Sequence, residues 1–148
     1  MSESQSRHDN PPKHTIVKRL HFCYGHRLLD YDGKCAFAHG HNGTLEVELS
    51  SAELDRRGMV YDFGDVKKEL SRFIEGQLDH RMLLREDDPL IEALRQVGER
   101  PFVMKSNPTA ENIAKLIFHE ARSRQLPVTA VRLWETHDAF AEYRADGE

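Results

Sequence analysis

The sequence predicts an α+β domain in which an antiparallel sheet carries helices on one face. Apolar and polar residues alternate near both ends of the chain, which is the period of a half-buried strand. The middle of the chain instead carries apolar residues at helical spacing. The predicted order is β-β-α-(α)-α-β-β, with a hairpin at each end. A sheet of about four strands has exposed edges, and oligomerisation would protect them.

The first predicted hairpin joins strands at residues 15–26 and 41–50 through the turn sequence DYDGK. His26 shares the parity of the apolar residues in the first strand. His39 and His41 share the parity of the apolar residues in the second. All three histidines are therefore expected on the buried side of the sheet.

The middle of the chain predicts a helix at residues 63–77, a short helix that begins at Asp88-Pro89 and ends near residue 97, and a brief edge strand at 101–104. Asn107-Pro108 predicts the start of another helix, which runs to about residue 125. Alternation then predicts strands at 128–135 and 140–144, joined by a short turn.

Composition narrows the class of protein further. The chain has 148 residues, of which 39% are hydrophobic and 31% charged, and this suits one domain, expected at residues 14–146. A net charge of −4 gives no general reason to bind nucleic acid or a membrane. With two cysteines and no apolar leader, the expected compartment is the reducing cytoplasm. Residues 1–13 are polar and are expected to form a disordered tail.

Three histidines form a candidate metal site. A single histidine on an apolar strand face is more often a hydrogen-bonded core residue than a ligand. His39 and His41, however, project side by side from one strand, and His26 ends its neighbour with the same parity. Burial of three imidazoles without partners would be costly, and a shared Zn²⁺ would satisfy all three.

Cys35 leaves the type of metal site open. Three histidines alone would leave a fourth tetrahedral position vacant, as in catalytic zinc sites. Cys35 could fill that position and close a structural Cys-His₃ site. Alternatively, the thiol could stay off the metal and act as a base towards a metal-bound substrate. The spacing alone supports both interpretations.

Five ordered motifs carry a family resemblance. FCYGHRL, CAFAHGHNG, LDH, NPTAEN and WET, spread over residues 15–144, resemble the 6-pyruvoyl-tetrahydropterin synthase and 6-carboxytetrahydropterin synthase family. The resemblance implies a tunnelling fold: a four-stranded antiparallel sheet with helices on one face. Three such units close into a β-barrel, and two trimers form a hexamer. It also implies active sites at subunit interfaces.

The resemblance also implies residue roles. His26, His39 and His41 would be the zinc ligands, and Cys35 would be a general base outside the coordination sphere. Asp79 would orient His80, the proton donor or relay.

Three further residues would hold the substrate. Glu135 would bind the amino and N3–H edge of the pterin, and Thr109 and Glu111 would help to hold the ring. The implied substrate is 7,8-dihydroneopterin triphosphate, which zinc would chelate through its side-chain hydroxyls.

The spacing of Cys35 before HGH resembles that of the queuosine-pathway enzymes that make 6-carboxy-5,6,7,8-tetrahydropterin. A pyruvoyl-type synthase with the same site is the nearest alternative. A non-catalytic zinc protein with a closed site, and a pterin-binding scaffold that has lost activity, are alternatives of other classes.

Some positions depart from the family pattern. Gly43 stands where an aromatic residue commonly follows HGH-x, so one wall of the pocket is expected to differ. The segment at residues 85–104 is longer than in compact relatives. Arg27, Lys34 and Lys105 are candidate triphosphate ligands by proximity to the motifs.

Overall fold

A long hairpin forms the centre of the sheet. The computed structural model describes residues 13–145. Within it, β1 (His14–His26) and β2 (His39–Ser51) pair antiparallel over thirteen residues each, from His14 opposite Ser51 to His26 opposite His39. The predicted tail at residues 1–13 lies outside the described residues except for Lys13, and so does the last residue of the predicted domain.

The other elements follow in chain order, and most agree with the predicted pattern to within a few residues. They are α1 (Phe63–Phe73) with a π-helical turn (Ile74–Leu78), β3 (Arg81–Arg85), α2 (Leu90–Gln96), β4 (Phe102–Met104), α3 (Ala110–Ser123), β5 (Val128–Trp134) and β6 (Phe140–Arg144). A helix and a sheet layer thus both form where the sequence predicts them. None of the helices in residues 13–145 is long and apolar enough to span a membrane.

The prediction of a four-stranded antiparallel sheet is wrong in strand number and direction. The sheet has six strands in the order β4-β3-β1-β2-β5-β6, and β3 pairs parallel with both β1 and β4. The segment that forms β3 was not predicted as a strand. It has five residues, two of them arginines, and its partners lie far away along the chain, so no local alternation marks it.

The core lies between the helices and one face of the sheet. Alternate residues of β1 are buried from Leu20 to His26, and the residues between them are exposed or half-buried. The predicted parity is therefore confirmed. The apolar stripes of α1 and α3 cover this face; the buried residues include Leu20, Phe22, Tyr24, Leu45, Val47, Leu49, Val66, Leu70, Ile113, Ile117, Val131 and Leu133.

A buried carboxylate joins three strands on the other face of the sheet. Glu48 accepts hydrogen bonds from Arg132, from Thr129 at 2.9 Å and from Arg144 at 2.9 and 3.2 Å. Burial of Glu48 opposes its ionisation, but these hydrogen bonds outweigh burial and lower its pKa to about 2. The ionised carboxylate therefore stabilises the pairing of β2 with β5 and β6.

Glu48→Gln should lower the free energy of unfolding by about 3 kcal/mol at pH 7, because a pKa near 2 in the fold lies well below the ordinary value of 4.5. This contribution is present above pH 4.5 and is lost as the pH falls towards 2. Urea unfolding of both proteins between pH 7 and pH 3 measures it, with the more exposed Glu142→Gln as the control. If the difference in unfolding free energy between wild type and Glu48→Gln does not shrink at low pH, the stabilisation does not come from the ionised Glu48 carboxylate.

Candidate active site

Strand register brings the three predicted histidines together. His26 is paired with His39 across β1 and β2, and directly paired residues point to the same face. His41 lies two residues further along β2 and so shares that face. The ring centroids are 4.5 to 5.1 Å apart, and each ring offers one nitrogen within 4.8 Å of the others.

Two backbone carbonyls set the orientation of two of these rings. His26 Nδ1 lies 2.6 Å from the Pro108 carbonyl oxygen, and His39 Nδ1 lies 2.7 Å from that of Phe37. A carbonyl oxygen only accepts, so both Nδ1 atoms donate and the neutral rings carry their lone pairs on Nε2. The two Nε2 atoms are 3.0 Å apart. Two lone pairs at this distance repel each other unless they share a cation or a proton.

Burial favours the neutral form of His26. It lowers the pKa of this imidazole, and nearby His39 and His41 act in the same direction, against the opposing effects of the Pro108 carbonyl and Glu135. Neutral imidazole is the form that binds metal ions. The three histidines, the tautomers of His26 and His39, and the spacing of the nitrogens therefore fit a divalent metal such as Zn²⁺.

The NPTAEN motif docks the start of α3 against the end of β1. The Asn107 side chain accepts from the backbone N–H of Leu29 at 2.9 Å and donates to its carbonyl at 2.8 Å. Thr109 caps α3 by accepting from the Asn112 N–H at 3.2 Å. These contacts hold the Pro108 carbonyl against His26, which explains the motif in structural terms.

Cys35 and the predicted substrate residues line one cavity. Cys35 lies in a short 3₁₀ turn (Lys34–Ala36), and its carbonyl accepts from Leu28 N at 2.9 Å. A cavity of about 290 Å³ is lined by residues that include His26, Cys35, Thr109, Glu111 and Glu135. Within residues 13–145, the cluster of metal-binding side chains comprises the three histidines and does not include Cys35.

Glu135 lies between the cavity and the histidine cluster. It follows β5 directly, and its two carboxylate oxygens are 3.8 Å from His26 Nε2 and 3.6 Å from His41 Nε2. The Tyr24 hydroxyl donates to Glu135 Oε1 at 2.7 Å. Burial and the neighbouring Glu135 raise the pKa of Tyr24, so the phenol stays protonated and remains a donor.

Tyr24 shares the parity of His26 on β1, and this pattern alone predicts only a core residue. Only the fold shows that Glu135, 111 positions further along the chain, meets its hydroxyl.

Asp79 and His80 are not brought to this cavity. His80 Nδ1 lies 2.9 Å from Asp79 Oδ2, as a functional pair would require, but the His80 side chain is 79% exposed and neither residue lines the cavity. The pair is attached to the backbone of Cys23, whose N–H donates to Asp79 Oδ1 and whose carbonyl accepts from His80 N. His80 has a φ of 60°, in the left-handed region that a residue other than glycine rarely adopts.

Arg27 has a structural partner. Its guanidinium forms a two-pronged ion pair with Asp88, whose side chain is fully buried. This pair links the long segment at residues 85–104 to the chain that leaves β1. The Nε and Nη2 groups of Arg27 are thus engaged by Asp88.

The sheet, its helical layer and the histidine cluster define a tunnelling-fold protein. A solved structure of an uncharacterized protein from Wolinella succinogenes matches with a TM-score of 0.74 and 29% identity, over 91% of this chain and 99% of that chain. The 6-pyruvoyl tetrahydropterin synthase of Caenorhabditis elegans matches with a TM-score of 0.67 and 26% identity, over 91% and 97% of the two chains.

The chain belongs to the 6-pyruvoyl tetrahydropterin synthase family, whose model matches residues 15–146. Among curated relatives, the 6-carboxy-5,6,7,8-tetrahydropterin synthase of Rickettsia typhi is 35% identical over 85% of this chain and 96% of its own. That of Haemophilus influenzae is 33% identical, over 87% and 97%. The chain is thus an enzyme of the tetrahydropterin synthase type, and enzymes of this type are lyases.

Proposed function

We propose that this protein is a zinc-dependent lyase that converts 7,8-dihydroneopterin triphosphate to 6-carboxy-5,6,7,8-tetrahydropterin. One water molecule would be consumed, acetaldehyde and triphosphate would be released, and the product would serve queuosine (7-deazaguanine) biosynthesis. The observation that carries the proposal is the convergence of three imidazoles on one point beside a cavity that holds Cys35 and Glu135. The names of the curated relatives favour the 6-carboxy product.

His26, His39 and His41 would hold the zinc ion through their convergent nitrogens. Zinc supplies Lewis-acid chemistry at the hydroxyl groups of the substrate side chain when bound. Three neutral histidines would leave the coordination sphere open to those hydroxyls. Because Cys35 lies outside the ligand cluster but lines the cavity, we assign it to proton transfer.

Cys35 would act as the base that accepts a proton from the substrate side chain. Its backbone is fixed by the bond from Leu28, so the thiol is held at the cavity wall. A base of this kind must remain a free thiol, and the structure has no disulfide at either cysteine. A reducing, cytoplasmic compartment would keep it so.

Glu135 would anchor the pterin ring. A carboxylate can accept two parallel hydrogen bonds from the amino group and N3–H of the ring, a geometry that selects for this edge. Thr109 and Glu111, at the start of α3, line the same cavity and would support the ring. The Thr109 hydroxyl also caps α3. Thr109 would therefore have two roles, as a helix cap and as a support for the ring.

His80 would act as the proton donor, oriented by Asp79, at the active site of a neighbouring copy. The pair is preformed and exposed on this chain but lies outside its cavity. Within residues 13–145, β4 and β6 lie at the two edges of the sheet, where strands of other copies could pair. We therefore propose the homohexamer of the family, a dimer of barrel-forming trimers, as the active form.

Product identification tests the reaction directly. Zinc-loaded protein incubated with 7,8-dihydroneopterin triphosphate should yield 6-carboxy-5,6,7,8-tetrahydropterin and acetaldehyde, measured by mass spectrometry. The family name favours a second candidate, 6-pyruvoyl tetrahydropterin, because the same site could produce it. Detection of that compound as the main product would replace the first candidate with the second.

Replacement of Cys35 tests its assignment as a base. Cys35→Ala should keep one zinc per chain but lower kcat by at least about 100-fold, because general-base catalysis contributes about that much. The matched variant His39→Ala should instead lose zinc. Metal content by mass spectrometry and initial rates give both readouts. Loss of zinc together with unfolding in Cys35→Ala would support the closed, non-catalytic Cys-His₃ site.

A further inference from the structure

Tyr24 is rigidly placed beside the proposed pterin anchor. Its side chain is among the largest that are fully buried, and the residue is 1% exposed. The ring stacks on Phe22 with centroids 5.0 Å apart and meets the edge of His26 at 5.4 Å. Packing on both sides fixes the ring, so the position of its hydroxyl is fixed as well.

Gly43 provides the space that the Tyr24 ring occupies. A Cβ atom at Gly43 would lie 3.0 Å from Tyr24 Cε1 and 3.2 Å from Leu133 Cδ1, closer than ordinary van der Waals contact. Any side chain at this position would therefore push the ring or Leu133 aside. The absence of a side chain at Gly43 allows the phenol to reach Glu135.

The phenol controls the direction of the Glu135 carboxylate. Its hydroxyl donates to Oε1 at 2.7 Å, whereas the nearest imidazole nitrogens are 3.6 and 3.8 Å from the two oxygens, beyond hydrogen-bond distance. An ionised carboxylate has about four acceptor positions. One is used by Tyr24, and the others stay available to a ligand in the cavity.

We propose that Tyr24 is a positioning residue that holds Glu135 in the orientation that binds the pterin ring. Without this hydrogen bond, no group at hydrogen-bond distance holds the carboxylate in this orientation, and it is free to rotate. The inference rests on the proposed function, because it requires Glu135 to be the anchor. According to this inference, pterin affinity also depends on Tyr24 in β1 and on the absence of a side chain at Gly43 in β2.

Tyr24→Phe removes the hydroxyl and keeps the packed ring. Zinc-loaded Tyr24→Phe should bind neopterin about tenfold more weakly by isothermal titration calorimetry, because one hydrogen bond to a charged group is lost. The KM for 7,8-dihydroneopterin triphosphate should rise by a similar factor while kcat changes by less than about twofold. Zinc content should not change. Tyr143→Phe, at a tyrosine that packs against Phe118, is the matched control.

A double-mutant cycle separates the hydroxyl from general packing. Gly43→Ala should also weaken neopterin binding in the wild-type background, because the added methyl displaces the ring. In the Tyr24→Phe background the same change should have no further effect on affinity, since both act through one hydrogen bond. Additive effects of the two changes would overturn the steric part of the inference, because Gly43 would then act through Leu133 and not through Tyr24.

Glu135→Gln distinguishes failure of this inference from failure of the proposed function. If Glu135→Gln weakens neopterin binding and Tyr24→Phe does not, Glu135 is the anchor and the Tyr24 inference is wrong. If neither variant weakens binding, the assignment of Glu135 as anchor fails and the inference fails with it. Weaker binding in both variants, with zinc retained, supports the inference.

Discussion

One hydrogen bond connects the sheet to the helical layer at the centre of the site. His26 is the last residue of β1, and its Nδ1 donates to the carbonyl of Pro108, just before α3. The bond fixes both the ring orientation and the tautomer, and so directs Nε2 at the other histidines. The β1–β2 register then places His39 and His41 around the same point. Every role proposed for the cavity depends on this arrangement of three nitrogens.

The three residues after His26 extend this constraint to the rest of the site. Arg27 forms an ion pair with buried Asp88, and the Leu28 N–H donates to the Cys35 carbonyl. The N–H and carbonyl of Leu29 both form hydrogen bonds with the Asn107 side chain. The proposed base, the long segment at residues 85–104 and the start of α3 are thereby fixed to the strand that supplies a proposed metal ligand, His26. The long segment at residues 85–104 thus supports the chain that leads to Cys35, through the ion pair of Asp88 with Arg27.

The sequence alone predicts the fold and the site correctly where local patterns determine the structure. Strand parity placed the three histidines on the buried face. Asn107-Pro108 indicated the start of α3 to within two residues, although Thr109 is the cap. Parity could not show β3, because its pairing with β1 and β4 depends on contacts distant in sequence. The partnership of Tyr24 with Glu135, and that of Arg27 with Asp88, also cross the fold. The local sequence around a buried tyrosine or a surface arginine is the same whether or not the side chain has a distant partner.

X-ray absorption spectroscopy at the zinc edge tests the central claim of an open three-histidine site most directly. The zinc-loaded protein should show nitrogen or oxygen neighbours at roughly 2.0–2.1 Å, with imidazole multiple scattering from three rings, and no sulfur neighbour. A sulfur shell at about 2.3 Å that disappears in Cys35→Ala would contradict the account, because it would make Cys35 a ligand instead of a free base.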